Sequence, residues 1–64
     1  MKVRDVLKRL NEEGWYLARR KGSHRQFKHQ DKPGRVTVAG HPREDIPADT
    51  LQSIYEQAGW EKDA

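Results

Sequence analysis

No cysteine occurs in this chain of 64 residues, so neither a disulfide nor a thiolate metal site can hold it together. A domain of this length buries only roughly 60% of the surface that its unfolded chain exposes. Its stability must come from a compact core that uses nearly every large apolar residue. Hydrophobic residues make up 33% of the chain and charged residues 36%, which is a lean supply. The aliphatic residues nevertheless recur at regular spacing and two Trp add bulk, as expected of one folded domain over residues 1–64 and not of a disordered segment. No apolar run reaches the length of a signal-peptide core or a membrane span. A cytoplasmic protein with no membrane partner is expected, and the lack of cysteine fits a reducing compartment.

Val3, Val6, Leu7 and Leu10 recur at helical spacing and predict a first helix over about residues 3–13 with one apolar stripe. Gly14 ends it, because glycine takes a left-handed position at little cost, and Trp15 can fold back onto the last turn. A strand is expected over about 15–20, with its inward face left open by the sequence. A turn at Lys21-Gly22 leads to a second strand over about 23–29, whose strong core residue is Phe27. After the turn-forming run Asp31-Lys32-Pro33-Gly34, a third strand over about 35–39 should point both Val36 and Val38 inward. A polar loop follows. Pro47 suits the first turn of a second helix over about 47–58, with Leu51, Ile54, Tyr55 and Ala58 as its stripe. Gly59-Trp60 then repeats the Gly-Trp pair that closes the first helix, and the tail Glu61–Ala64 is expected to fray. The fold class is α+β: a three-stranded antiparallel meander with two helices on one face, the arrangement of double-stranded RNA-binding domains.

Charge is segregated along the chain. Residues 1–43 hold twelve Lys and Arg against four Asp and Glu, a net +8, whereas residues 44–64 hold one against six, a net −5. Segregation of this strength points to an anionic partner for the first two thirds, and nucleic acid leads because neutralised phosphates release counterions.

The most basic stretch, Arg19-Arg20-Lys21-Gly22-Ser23-His24-Arg25, lies at the tip of the first hairpin. Cutting RNA without a metal needs a base for the ribose 2′-OH, cations for the charge that builds on the phosphate, and a backbone that allows close approach. His24, the flanking Arg and Lys residues, and Gly22 supply these in turn. Histidine titrates near about pH 6.5, so an imidazole at neutral pH can accept a proton. Along the second strand His24 and Phe27 have opposite parity, which turns His24 to the open side of the sheet unless a bulge intervenes. The expected RNA-binding set is Arg19, Arg20, Lys21, Gly22, Ser23, Arg25 and Lys28. Spacing alone favours a solvated histidine among basic neighbours.

The ordered set of motifs tips that balance. Gly14-Trp15, Arg19 with Gly22-Ser23-His24, Arg35-Val36-Thr37-Val38, His41, Thr50-Leu51 to Ile54, and Gln57-Ala58-Gly59 together resemble the HicA family of bacterial toxins over nearly the whole chain. The resemblance implies an mRNA interferase, an endoribonuclease of double-stranded RNA-binding-like fold that is inactivated by a HicB-type antitoxin. It places the family's catalytic histidine on His24, with messenger RNA as the substrate. This sequence departs from the pattern at Ala39-Gly40, where many relatives have a proline, and at Asp49, where a glycine commonly precedes the threonine.

His29 and His41, with Glu44 and Asp45 close behind, lack the spacing of a metal site, so neither a metal nor a cofactor is expected. His41 reads as a loop residue that could contact RNA or act as an acid. The carboxylates Glu44, Asp45 and Asp49 fit the start of the second helix, where the dipole favours negative charge. Trp15 and Trp60 read as core or capping residues, which leaves Tyr16 as the aromatic residue least excluded from contact with a nucleotide. Two rival functions fit the composition less well. A non-catalytic duplex-binding module would be expected to carry lysines at the start of its second helix, and this chain has Asp45-Ile46-Pro47-Ala48-Asp49 there. A protein-interaction domain would treat the +8 segment as solvated surface.

Overall fold

The structure is a computed structural model and describes residues 1–60, so the expectation for Glu61–Ala64 lies outside the described residues. Helix α1 spans Val3–Glu12, strands β1, β2 and β3 span Tyr16–Lys21, His24–Lys28 and Val36–Val38, and helix α2 spans Ala48–Ala58. The strands form one antiparallel sheet in the order β1-β2-β3. Val3, Val6 and Leu10 of α1, Ile54 and Ala58 of α2, and Phe27, Val36 and Val38 of the sheet share one core with Trp15, Ile46 and Trp60. Both helices therefore cover the Phe27 face and leave the other face open, as the sequence predicts.

The two Gly-Trp pairs close their helices with identical bonds. Trp15 N–H donates to the Leu10 carbonyl at 2.9 Å and Gly14 N–H to that of Asn11 at 3.2 Å; Trp60 donates to Tyr55 at 2.8 Å and Gly59 to Glu56 at 3.3 Å. This crossed pair of bonds is the Schellman motif, and it needs the left-handed backbone found at Gly14 and Gly59 (φ 90° and 74°). Each tryptophan is thereby folded back into the core, 2% and 7% exposed. Trp15 thus belongs to the cap and not to β1, which starts at Tyr16. Pro47 likewise caps α2 from outside, its carbonyl accepting from Leu51 N–H.

Glu13 joins the two helix ends. Its carboxylate accepts from Arg9 Nε at 2.9 Å and from the Trp60 indole at 2.7 Å, while the Arg9 guanidinium lies 4.1 Å over the Trp60 ring. Burial works against the charge of Glu13, but the hydrogen bonds from Arg9 and Trp60 outweigh it and hold the carboxyl below its usual range.

The loop after β3 serves α1 more than α2. Pro42 and Glu44 carbonyls accept from the Arg4 and Val3 N–H groups, and the backbones of Lys2 and Asp45 pair in an isolated antiparallel β-bridge, so otherwise orphaned donors at the start of α1 are satisfied. Of the three carboxylates expected at the start of α2, Asp49 lies in its first turn. Glu44 and Asp45 sit beside α1 instead, because this loop pairs as an extended segment with residues 1–3.

Candidate functional site

Gly22 and Ser23 form a two-residue turn between β1 and β2. Gly22 has φ 60° and Ser23 a negative φ, which is the backbone of a type II′ hairpin turn with glycine at its first central position. A two-residue loop also fixes the register, setting Lys21 directly opposite His24. Lys21 accordingly belongs to β1 and Ser23 to the turn, one residue away from the expected boundaries. Side chains on directly opposed residues hold their Cβ atoms about 4.5–5.5 Å apart. The Gly-Ser portion of Gly-Ser-His is thus what brings a cation beside the histidine.

The next pair inward is Arg19 opposite Gln26. Arg19, Lys21, His24 and Gln26 line one open depression of about 300 Å³, at the small end of the range for ligand sites. His24 is exposed there, on the face away from Phe27. Arg35 of the β2–β3 connection reaches the same face and donates to Gln26 Oε1 at 3.2 Å. Farther along, Tyr16 pairs with Lys28, whose place two residues from Gln26 puts both on this face. The three strands contain no carboxylate, so nothing on them offsets these cations.

The expected basic residues divide between the two faces. Arg19, Lys21 and Lys28 share the face of His24. Arg20 and Arg25, paired with each other across the strands, lie on the helix side and brace the turn: Arg20 Nε donates to the Gly22 carbonyl at 3.0 Å, and Arg25 donates to Ser23 at 3.3 Å and to Gly40 at 3.0 Å. Gln26 and Arg35 were missed as site residues. Parity would have found Gln26, two residues from His24; Arg35 lies outside any strand and carried no such signal.

The other histidines stand apart. His29 lies beyond the end of β2, bonded to the Glu13 carbonyl through Nε2 at 2.9 Å, while its Nδ1 accepts from Asp31 N–H at 3.0 Å. Its ring packs edge-on against Trp15 at 5.2 Å, so both nitrogens and one edge are used in tying the β2–β3 turn to the end of α1. His41 sits in the exposed loop after β3, where its carbonyl accepts from Glu44 N–H, and it does not line the depression. Among the described residues no group of three or more His, Asp or Glu comes together as a metal-binding cluster, and no helix is long and apolar enough to cross a membrane.

Compared with models of known families, residues 3–60 match the HicA toxin of bacterial toxin-antitoxin pairs, a span that takes in both helices and the whole sheet. No curated protein matches the chain.

Proposed function

Because the chain belongs to the HicA family of toxins, we propose that it is an endoribonuclease that cuts messenger RNA in the cytoplasm and so arrests translation and growth. The observation that carries this reading is the opposition of Lys21 and His24 across the hairpin, with Arg19 beside them. His24 takes the proton from a ribose 2′-OH. The resulting oxygen attacks the neighbouring phosphorus, a P–O2′ bond forms, the P–O5′ bond breaks, and water protonates the departing 5′-oxygen. Lys21 and Arg19 hold the non-bridging oxygens as their charge rises. Arg20 and Arg25 act through the turn, fixing the backbone on which His24 and Lys21 stand. The depression is open to solvent on one side, which suits a polymer that passes through and not a small molecule that is enclosed.

Two consequences are testable. Cleavage is expected to persist in excess EDTA and to fail on a substrate with a 2′-deoxy sugar at the scissile position, since the attacking oxygen is then missing. Cutting of the deoxy substrate at that bond would rule out this chemistry, as would loss of activity to chelator that magnesium restores.

A toxin of this kind is made with a cognate antitoxin, here a HicB-type protein. An acidic surface on that partner would satisfy Arg19 and Lys21 with charge-assisted hydrogen bonds, cover His24 and exclude RNA. Titrating the antitoxin against RNA cleavage should give complete inhibition. Changing Arg19 and Lys21 together to Ser should weaken the complex at low salt more than Lys8→Ser on α1. A tight complex that still cuts RNA would contradict masking of this face.

A further inference from the structure

We propose that Tyr16 is a base-stacking platform, and that the open face of the sheet is a track for one unpaired RNA strand running from His24 to Tyr16. The proposal rests on the ribonuclease reading above and extends it to the form of the substrate. The chain has five aromatic residues. Trp15, Phe27 and Trp60 are buried and Tyr55 packs against the same core. Tyr16 alone is left out, 53% exposed in a protein with little apolar surface to spare.

Its position gives that exposure a use. Tyr16 lies opposite Lys28 on the face that also carries Arg19 opposite Gln26 and Lys21 opposite His24. From His24 to Lys28 is four steps along β2, about 13 Å at the usual rise, so a strand engaged at His24 reaches Tyr16 within a few nucleotides. The cations between and beside them meet phosphates, and the ring offers a flat surface for a base. Stacking of this kind tolerates any base, because each has a π-face.

The same features select against a duplex. Paired bases are already stacked on one another and do not present a face to Tyr16. The start of the second helix, where a duplex-binding module would carry lysines, has Pro47, Ala48 and Asp49 in this chain.

The test uses the full-length chain carrying His24→Ala, so that RNA is bound without being cut, and a short unstructured RNA. Tyr16→Ala in that background should weaken binding by about 5- to 150-fold, the range for one lost base–aromatic stack, and Tyr16→Phe should restore it. The slope of log affinity against log salt should not change with Tyr16→Ala but should fall by about 0.7 with Lys28→Ser, as for one lost phosphate contact on a single strand. An RNA duplex of the same sequence should bind more weakly. Unchanged affinity in Tyr16→Ala, or preference for the duplex, would overturn the proposal while leaving the ribonuclease reading to stand on cleavage by the wild type. Tyr16→Ala that impairs only antitoxin binding would also overturn it. If the wild type neither binds nor cuts RNA, both readings fall together.

Discussion

His24→Ala is expected to slow RNA cleavage by about 10²- to 10⁴-fold, the usual contribution of a positioned general base, and to abolish toxicity when the chain is expressed without its antitoxin. The fold should survive, because the His24 side chain is exposed and takes part in no hydrogen bond among the described residues, its backbone pairing with Lys21 being independent of the ring, and a surface change of this kind costs within about 0.5 kcal/mol. RNA binding should also survive, since Arg19, Lys21 and Lys28 remain. The decisive measurement is therefore single-turnover cleavage by variant and wild type at matched RNA occupancy, with a thermal melt of each. A folded His24→Ala chain that binds and cuts RNA like the wild type would remove His24 from the chemistry.

Trp15→Ala is expected to cost about 3–5 kcal/mol, which in a domain of this size is enough to unfold most of the population at 37 °C. Trp15 is 2% exposed, holds the cap of α1 against the core and supports the ring of His29, and no disulfide compensates. Trp15→Phe should cost less than half as much, because the buried Trp15 Nε1 has no hydrogen-bond partner among the described residues, so the smaller ring sacrifices packing alone. Trp60→Phe loses packing and also its bond to the Glu13 carboxylate, a bond to a charged group worth about 1.5–3 kcal/mol. Urea titrations of the four proteins should rank wild type, Trp15→Phe, Trp60→Phe and Trp15→Ala in falling stability. A Trp15→Phe chain as unstable as Trp15→Ala would show that the indole N–H has a partner the fold depends on.

Much of this architecture follows from local chemistry that a sequence displays. Val3, Val6, Leu7 and Leu10 make a stripe on any helix they form, and Gly14-Trp15 and Gly59-Trp60 close both helices because only glycine enters the left-handed region cheaply. The alternation Val36-Thr37-Val38 fixes which side of β3 is buried. Gly22-Ser23 dictates a two-residue turn, and that turn dictates that Lys21 stands across from His24. Parity from Phe27 then turns His24 outward, since β2 itself runs without interruption.

The face taken by the first strand was not legible in this way, and it determines the site. Tyr16-Leu17-Ala18-Arg19-Arg20-Lys21 has no apolar alternation to orient it, and every one of its residues is exposed. Leu17 pairs with Phe27 and Arg19 with Gln26, so the register slips at Ala18 by one residue. In an unbroken strand Arg19 and Lys21 would share the side of Leu17, toward the helices. The bulge reverses them, bringing Arg19 and Lys21 beside His24 and sending Arg20 to the other side with Arg25. Two constraints from opposite ends of the hairpin force the extra residue: the Gly22-Ser23 turn sets the register at one end, and at the other Trp15, anchored by the cap of α1, sets where the strand must begin. The sequence by itself determined the elements, their caps, the hairpin turn and the outward histidine, all of which depend on neighbours a few residues apart. Only the tertiary structure decided which cations join that histidine and which histidine becomes a structural tie, because those outcomes depend on how the capped end of α1 anchors the start of β1 and the end of β2.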